Sequence, residues 1–176
     1  DAKCSLVGDH NIMNIMAAIG VAQTLKIPIN SIKKGIESVK VIPARLELKY
    51  AKNGATIIDD SYNSNPSSMR AAIDVLSAHS SSHKILVIGG MAELGDQSQR
   101  LHNDIIKYIN DSTVSYTLAI GEDLRQPITN NIEYGRWYNS KKELIEELEV
   151  VMREDSVLLV KGSRFMKMEE IINIII

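Results

Sequence analysis

The chain has 176 residues, room for one ordinary domain or for one domain and part of a neighbour. With 44% hydrophobic and 24% charged residues it is a folding chain, and a net charge of −2 gives no electrostatic ground for nucleic acid or an anionic membrane as partner. A single cysteine, Cys4, excludes an internal disulfide and a multi-cysteine metal site, and no apolar run approaches a membrane span.

The first residues, "DAKCSLVG", lack the basic and apolar regions of a signal peptide and do not begin with Met. Asp1 therefore reads as a cut point in a longer protein. From Gly8 to Lys26, Ile12, Ile15, Met16, Ile19, Ala22 and Leu25 recur at helical spacing. Asp9 or Asn11 is the expected cap and Pro28 the stop. A second short helix runs from Ser31, its expected cap, to Ser38. No strand accompanies these two helices. They read as a remnant of a preceding domain or as a hinge into the next one.

From Arg45 the pattern changes. "LELKY" alternates, "KNG" supplies a turn and "ATIIDD" follows, which predicts a β-hairpin. Helices are predicted over 71–78, 101–109, 141–152 and 166–175. "KILVIGG" and "SVLLVKGS" are continuous apolar runs, as buried parallel strands should be, and "YTLAIG" and "YGRWY" add two more strands. This alternation predicts an α/β fold, an open and mostly parallel sheet with helices on both faces. In such sheets ligands bind outside the carboxyl ends of the strands. Asp60, Gly89, Gly121 and Gly162 should then share one rim.

The residues alone leave the chemistry of that rim open. Alternation puts Asp59 and Asp60 on opposite faces, which argues against a paired acid and base. One of them can accept hydrogen bonds from ribose hydroxyls, or it can cap a helix or close an Asx-turn with Ser61 and Asn63. "GGMAELG" matches neither the dinucleotide fingerprint nor the P-loop, and a tight strand-to-helix turn accounts for it. Without a P-loop, a phosphate cradle for ATP must lie elsewhere. "VKGSR" sets Lys161 and Arg164 around a Gly–Ser turn, a grip for a carboxylate or phosphate or simply a basic loop. In "GDHNIMNIMAA", His10 and Asn14 are four apart and share a helix face. No second histidine suggests a zinc site, His79, His83 and His102 form no constellation, and Cys4 has no partner that would make it a nucleophile.

Taken in order, "GDHNIMNIMAA", "PARLE", "IIDDSYNSNPSSMRAAIDVL", "VIGGMAELG" and "VLLVKGSRFMKME" resemble the C-terminal part of the Mur ligases over nearly the whole chain. The D-D-S-Y-N-x-N-P-x-S-M and V-K-G-S-R elements resemble the branch that adds D-Ala-D-Ala. The resemblance implies residues 1–43 as the helical end of a central ATP-binding domain and residues 44–176 as a Rossmann-like C-terminal domain. It implies ATP and Mg²⁺ as cofactors, and UDP-N-acetylmuramoyl-tripeptide and D-Ala-D-Ala as substrates. It also implies a bacterial cytoplasmic monomer working in peptidoglycan synthesis, with the missing domains of the same protein as partners.

By the same resemblance Asn11 and Asn14 lie by the adenine, Asp60 holds the ribose, Arg45 reaches the phosphates, and Tyr62 and Asn65 line the nucleotide rim. Asn63, Lys161, Ser163 and Arg164 fall to the dipeptide side. No catalytic residue and no metal ligand falls in this chain, so alone it is expected to be inactive. An Asp60→Ala change is expected to raise the KM for ATP and leave the fold intact. Two positions depart from the family pattern. Ala44 stands where glycine usually precedes the arginine, a strained choice if that position needs positive φ. Gly90 stands where the family usually has Asp. A free-standing nucleotide-binding regulatory module is the alternative reading. A dinucleotide oxidoreductase is disfavoured by the missing G-x-G-x-x-G.

Overall fold

The computed structural model describes residues 2–4, 6 and 8–176, with the side chains of Asp9 and His10 outside that description. The face that His10 was expected to share with Asn14 therefore lies outside the described residues. Contacts divide the chain into two compact units, 1–42 and 43–176.

The first unit holds two helices, α1 (Asp9–Thr24) and α2 (Ile29–Glu37). Their caps differ from expectation. Gly8 occupies the N-cap of α1 with φ 95°, and no side chain caps it. Pro28, not Ser31, holds the N-cap of α2, and its carbonyl accepts from the N–H groups of Ser31 and Ile32. Ser31 already lies inside the first turn, so its hydroxyl is past the position where a cap acts.

The second unit begins with the predicted hairpin, β1 (Glu47–Tyr50) and β2 (Thr56–Asp60). There follow α3 (Pro66–Ala78), β3 (Lys84–Gly89), α4 (Ser98–Asn110), β4 (Tyr116–Ile120), α5 (Glu122–Asn131), β5 (Gly135–Tyr138), α6 (Lys141–Val151), β6 (Val157–Lys161) and α7 (Glu169–Ile175). The six strands form one sheet in the order β1-β2-β6-β3-β4-β5, and only the β1–β2 pair is antiparallel.

Strand alternation divides the core between two faces. Ile58, Leu86, Ile88, Val157 and Leu159 pack against α3, α4 and α5. Ile57, Ile85, Val87, Leu158 and Val160 pack against α6 and α7. Each such aliphatic side chain contributes about 1.5–3 kcal/mol by leaving water. The continuous apolar runs of β3 and β6 are what a strand covered on both faces requires, since neither parity meets solvent.

In the second unit four elements differ from the sequence reading by more than two residues, among them α4, which starts three residues early at Ser98. Helix α3 starts five residues early, because Pro66 begins it and does not stop the segment before it. Asn65 Oδ1 accepts from Ser68 N–H at 2.8 Å and Ser68 Oγ takes the Asn65 N–H at 3.1 Å, a reciprocal cap with proline at the first helical position. Helix α5 was not expected at all. Its stripe is only Leu124, Pro127 and Ile128, too short to show a period, and Pro127 reads as a breaker. The last helix starts later, at Glu169. A 3₁₀ turn at Arg164–Met166 and left-handed Lys167 (φ 47°) precede it.

The topology places the site. From β3 the chain moves outward to β4 and β5 with its helices on one face. It then returns through α6 on the other face to insert β6 between β2 and β3. The segments leaving β2 and β3 turn to one side and the segment leaving β6 turns to the other. That divergence opens the crevice where such sheets take ligands. The antiparallel β1 enters at this same rim, with Glu47 opposite Asp59, so the residues before β1 arrive beside the end of β2.

Candidate functional site

Asp60 and Lys161 end the neighbouring parallel strands β2 and β6 and face each other in register. The Lys161 ammonium donates to Asp60 Oδ2 at 2.6 Å and to the Asn63 carbonyl at 2.9 Å. Its side chain is only 2% exposed. Burial pulls the Lys161 pKa below its ordinary value, and the Asp60 charge opposes that pull. Asp60 Oδ1 accepts from the Leu46 N–H at 3.2 Å. One carboxylate therefore ties the end of β6 to the loop that carries Arg45.

This pairing bears on the Asp60→Ala expectation. Alanine there leaves a buried ammonium without its counter-ion, which costs stability as well as any ligand contact. Asp59, by contrast, is turned inward. It pairs with Lys49 at 2.6 Å and closes an Asx-turn, its Oδ1 accepting from Ser61 N–H at 3.1 Å and from Ser61 Oγ–H.

The Arg45 loop is backbone-strained. Ala44 has φ 58° and Leu46 φ 51°, both in the left-handed region. Such a conformation costs about 1–2 kcal/mol for a residue with a Cβ. Alanine does stand where a left-handed residue is needed. Arg45 is exposed, and its guanidinium lies 4.6 Å from the centroid of the exposed Tyr62 ring, within cation–π range.

The third edge of the crevice is built by Ser163. It is 1% exposed. Its N–H donates to Gly90 O at 3.2 Å, its Oγ accepts from Ala92 N–H at 2.7 Å and lies 3.4 Å from Ser64 O. Gly162 permits the approach, since a Cβ there would fall 3.0 Å from Gly89 Cα and 2.7 Å from Met168 Cγ. At Gly90 no such demand exists. A Cβ meets only Gly121 Cα at 4.0 Å, so the backbone there does not itself require glycine.

The other predicted residues fall as follows. Asn63 Oδ1 accepts from Ser64 N–H at 2.8 Å and Arg164 N–H at 3.4 Å. The Asn65 side chain is spent on the α3 cap. Arg164 is exposed and pairs with Glu169 at 2.9 Å, and the exposed Phe165 follows it. In the first unit, Asn14 Nδ2 donates to Asn11 Oδ1 at 3.2 Å, so the two amides sit side by side on α1. Among the described residues no group of three or more His, Cys, Asp or Glu side chains could hold a metal ion, and no helix is long and apolar enough to cross a membrane.

A family model described as "Mur ligase, glutamate ligase domain" matches residues 44–164. The chain belongs to the Mur ligases. Two relatives named UDP-N-acetylmuramoyl-tripeptide–D-alanyl-D-alanine ligase are similar to it. The one from Buchnera aphidicola is 39% identical over 94% of this chain and 36% of its own length. The one from Escherichia coli is 34% identical over 98% of this chain and 38% of its own length. The crystal structure of MurF from Acinetobacter baumannii, 28% identical, superposes with a TM-score of 0.91 over 99% of this chain and 39% of that one. The chain thus spans little more than a third of the length of these relatives.

In this Mur ligase chain some of the rim residues carry no sequence signal. Glu47 and Lys49 read as the polar parity of a hairpin strand. His102 read as one histidine among four, yet it is fully buried, with Nε2 accepting from Met91 N–H at 2.9 Å and Nδ1 2.9 Å from Ser98 O. Those partners assign the neutral ring with its proton on Nδ1, where it pins the Met91 loop. Only the tertiary pairing of α4 with that loop reveals it.

Proposed function

We propose that this chain is the C-terminal portion of the ligase that adds D-Ala-D-Ala to UDP-N-acetylmuramoyl-tripeptide, working in the bacterial cytoplasm with ATP. The observation that carries the reading is the 39% and 34% identity, over nearly the whole chain, to relatives bearing that name. In this reaction the tripeptide carboxylate takes the γ-phosphoryl group and ADP leaves. The dipeptide amine then attacks the acyl carbon of the acyl phosphate. The tetrahedral adduct expels phosphate as the amide forms and the amine loses its proton. The protein's part is chiefly orientation and neutralisation of charge.

The residues divide by the substrate group each one meets. Arg45, exposed beside Tyr62, faces the phosphates, where a planar guanidinium suits phosphate oxygens. Asp60 offers its carboxylate to the ribose, held in place by the Lys161 ammonium and the Leu46 N–H. Asn11 and Asn14 read the adenine edge. Arg164, on the exposed turn after β6, takes the dipeptide carboxylate with Asn63. Ser163 shapes that edge through its Oγ bonds to Ala92 and Ser64, and Asn65 shapes the nucleotide rim by capping α3. The reaction uses Mg²⁺, whose ligands the resemblance to the family assigns to the part of the longer protein outside this chain.

The test is ADP release with UDP-N-acetylmuramoyl-tripeptide, D-Ala-D-Ala, Mg²⁺ and ATP. The complete gene product should turn over and this chain alone should not. Turnover by the isolated chain, or none by the complete product when both substrates are supplied with Mg²⁺ and ATP, rejects the reading.

A further inference from the structure

Arg45 lies between two left-handed residues, Ala44 and Leu46. Side chains disfavour that backbone, so an unsupported segment relaxes out of it. Each flanking amide is held by a carboxylate. Asp60 holds the Leu46 N–H, and Glu47 Oε2 holds the Ala44 N–H at 3.1 Å. The Ala44 carbonyl accepts from the Tyr62 N–H at 3.1 Å, which keeps the loop over the Tyr62 ring.

Glu47 is itself anchored. It opens β1 directly opposite Asp59, where two carboxylates would repel. The Lys49 ammonium bridges them, 3.2 Å from Glu47 Oε2 and 2.6 Å from Asp59 Oδ2. Asp59 is 1% exposed, and its other oxygen is taken by Ser61. Burial alone lowers the Lys49 pKa, but the bonds and charges of Asp59 and Glu47 outweigh it and leave it raised. The Lys49 ammonium therefore stays charged at neutral pH. A connected path thus runs from a buried anchor, through Lys49 and Glu47, to the amide beside Arg45.

We propose that Glu47 is a positioning residue for Arg45, holding the Ala44 amide so that the left-handed loop aims the guanidinium at an incoming polyphosphate. This rests on the reading of Arg45 as the phosphate contact. In this role Glu47 acts through the Ala44 amide and not on the polyphosphate itself. A carboxylate that merely closed the hairpin would affect stability and leave the direction of Arg45 alone.

Two measurements test it. In NMR of this chain, the Arg45 side-chain Nε–H resonance should be displaced by the ring current of Tyr62, 4.6 Å from the guanidinium, and its assignment would follow from its loss in Arg45→Lys. Glu47→Ala should move it toward its free value while circular dichroism stays unchanged, and Glu47→Gln, which retains an acceptor oxygen, should hold it near its original place. An unmoved resonance in folded Glu47→Ala overturns the proposal. If Glu47→Ala does not fold, Lys49→Met, which cuts the path one step earlier, should move the resonance in the same direction, and an unmoved one again overturns it.

In the complete gene product, Glu47→Ala should raise the KM for ATP about fivefold to tenfold with kcat changed by less than about twofold. Glu47→Gln should recover most of that loss. Arg45→Ala should do at least as much as Glu47→Ala, and the double variant should be no worse than Arg45→Ala alone, as expected for residues acting as one unit. An ATP dependence altered by Arg45→Ala but not by Glu47→Ala overturns the proposal. An ATP dependence unaltered by Arg45→Ala overturns the phosphate role of Arg45 instead, and the NMR result then decides by itself whether Glu47 holds the loop.

Discussion

The sheet buries a lysine at each of its two ends, and the two are handled differently. Lys161, at the carboxyl end of β6, meets a carboxylate in register on the next strand. Lys84, at the amino end of β3, is 7% exposed and donates to the Ser77 carbonyl at 2.5 Å and to Thr113 Oγ1 at 2.9 Å, with no ion pair among the described residues. Its charge completes the C-terminal turn of α3, where unpaired carbonyls and the helix dipole favour a cation. Burial of a lysine therefore marks no site by itself. What distinguishes Lys161 is a carboxylate partner that is also bonded to a strained loop, at the rim where the strand ends diverge.

The sharpest way to break this comparison is to remove each ammonium. Lys161→Met should cost about 3–5 kcal/mol in denaturant unfolding, because it strands the Asp60 carboxylate. Adding Asp60→Asn to it should recover much of the loss, and a double variant as unstable as the single one would deny the pairing its weight. Lys84→Met should cost about 1–2 kcal/mol, since it abandons hydrogen bonds to neutral acceptors and no opposite charge. It should leave the ATP dependence of the complete gene product unchanged. Equal losses from the two lysines would erase the distinction between the two ends.

A smaller effect sharpens the picture of the rim as the strained end. Ala44→Gly should stabilise the chain by up to about 1 kcal/mol, the left-handed penalty less the entropy that glycine adds to the unfolded chain, seen as a raised Tm. The smallest concerns the opposite end, where His83 Nδ1 lies 2.8 Å from Ser156 Oγ. Burial, aided by Arg153, lowers the His83 pKa below 6.5. Between that lowered value and 6.5 the unfolded state binds more protons, so stability falls as pH drops through that window. The loss should be slight, because the ring is only partly buried, and it should vanish in His83→Asn, as urea titrations at pH 7 and pH 5 would reveal. At the rim, Tyr138 behaves oppositely. Burial, with the Glu147 charge, pushes its hydroxyl up to about 12. Stability is then lost as pH rises above the ordinary tyrosine range toward that value, and Tyr138→Phe, which removes a buried hydroxyl without a hydrogen-bond partner among the described residues, should abolish this loss.

Much of the architecture is legible along the chain because it rests on local signals. The apolar runs of β3 and β6 required cover on both faces, and the alternation of "LELKY" required one covered face, so an α/β sheet edged by a hairpin followed. Helix α5 was illegible for the same reason, its buried stripe spanning little more than one turn and carrying a proline. Pro66 misled because a proline starts a helix as readily as it ends one, and only the Asn65–Ser68 cap decides which.

The site divides along the same line. The sequence alone determined that Asp60, Lys161 and the glycines belong to strand ends, and its motifs carried the resemblance to the Mur ligases. It also marked Ala44 as strained if its backbone were left-handed. Only the tertiary structure decided that it is left-handed, that Lys161 meets Asp60 across 101 positions of chain, and that Glu47 and Lys49 brace the Arg45 loop. The reason is physical. Propensity and periodicity report what a residue does with its near neighbours. Which carboxylate meets which ammonium depends on the strand order, and that is set when β6 inserts between β2 and β3.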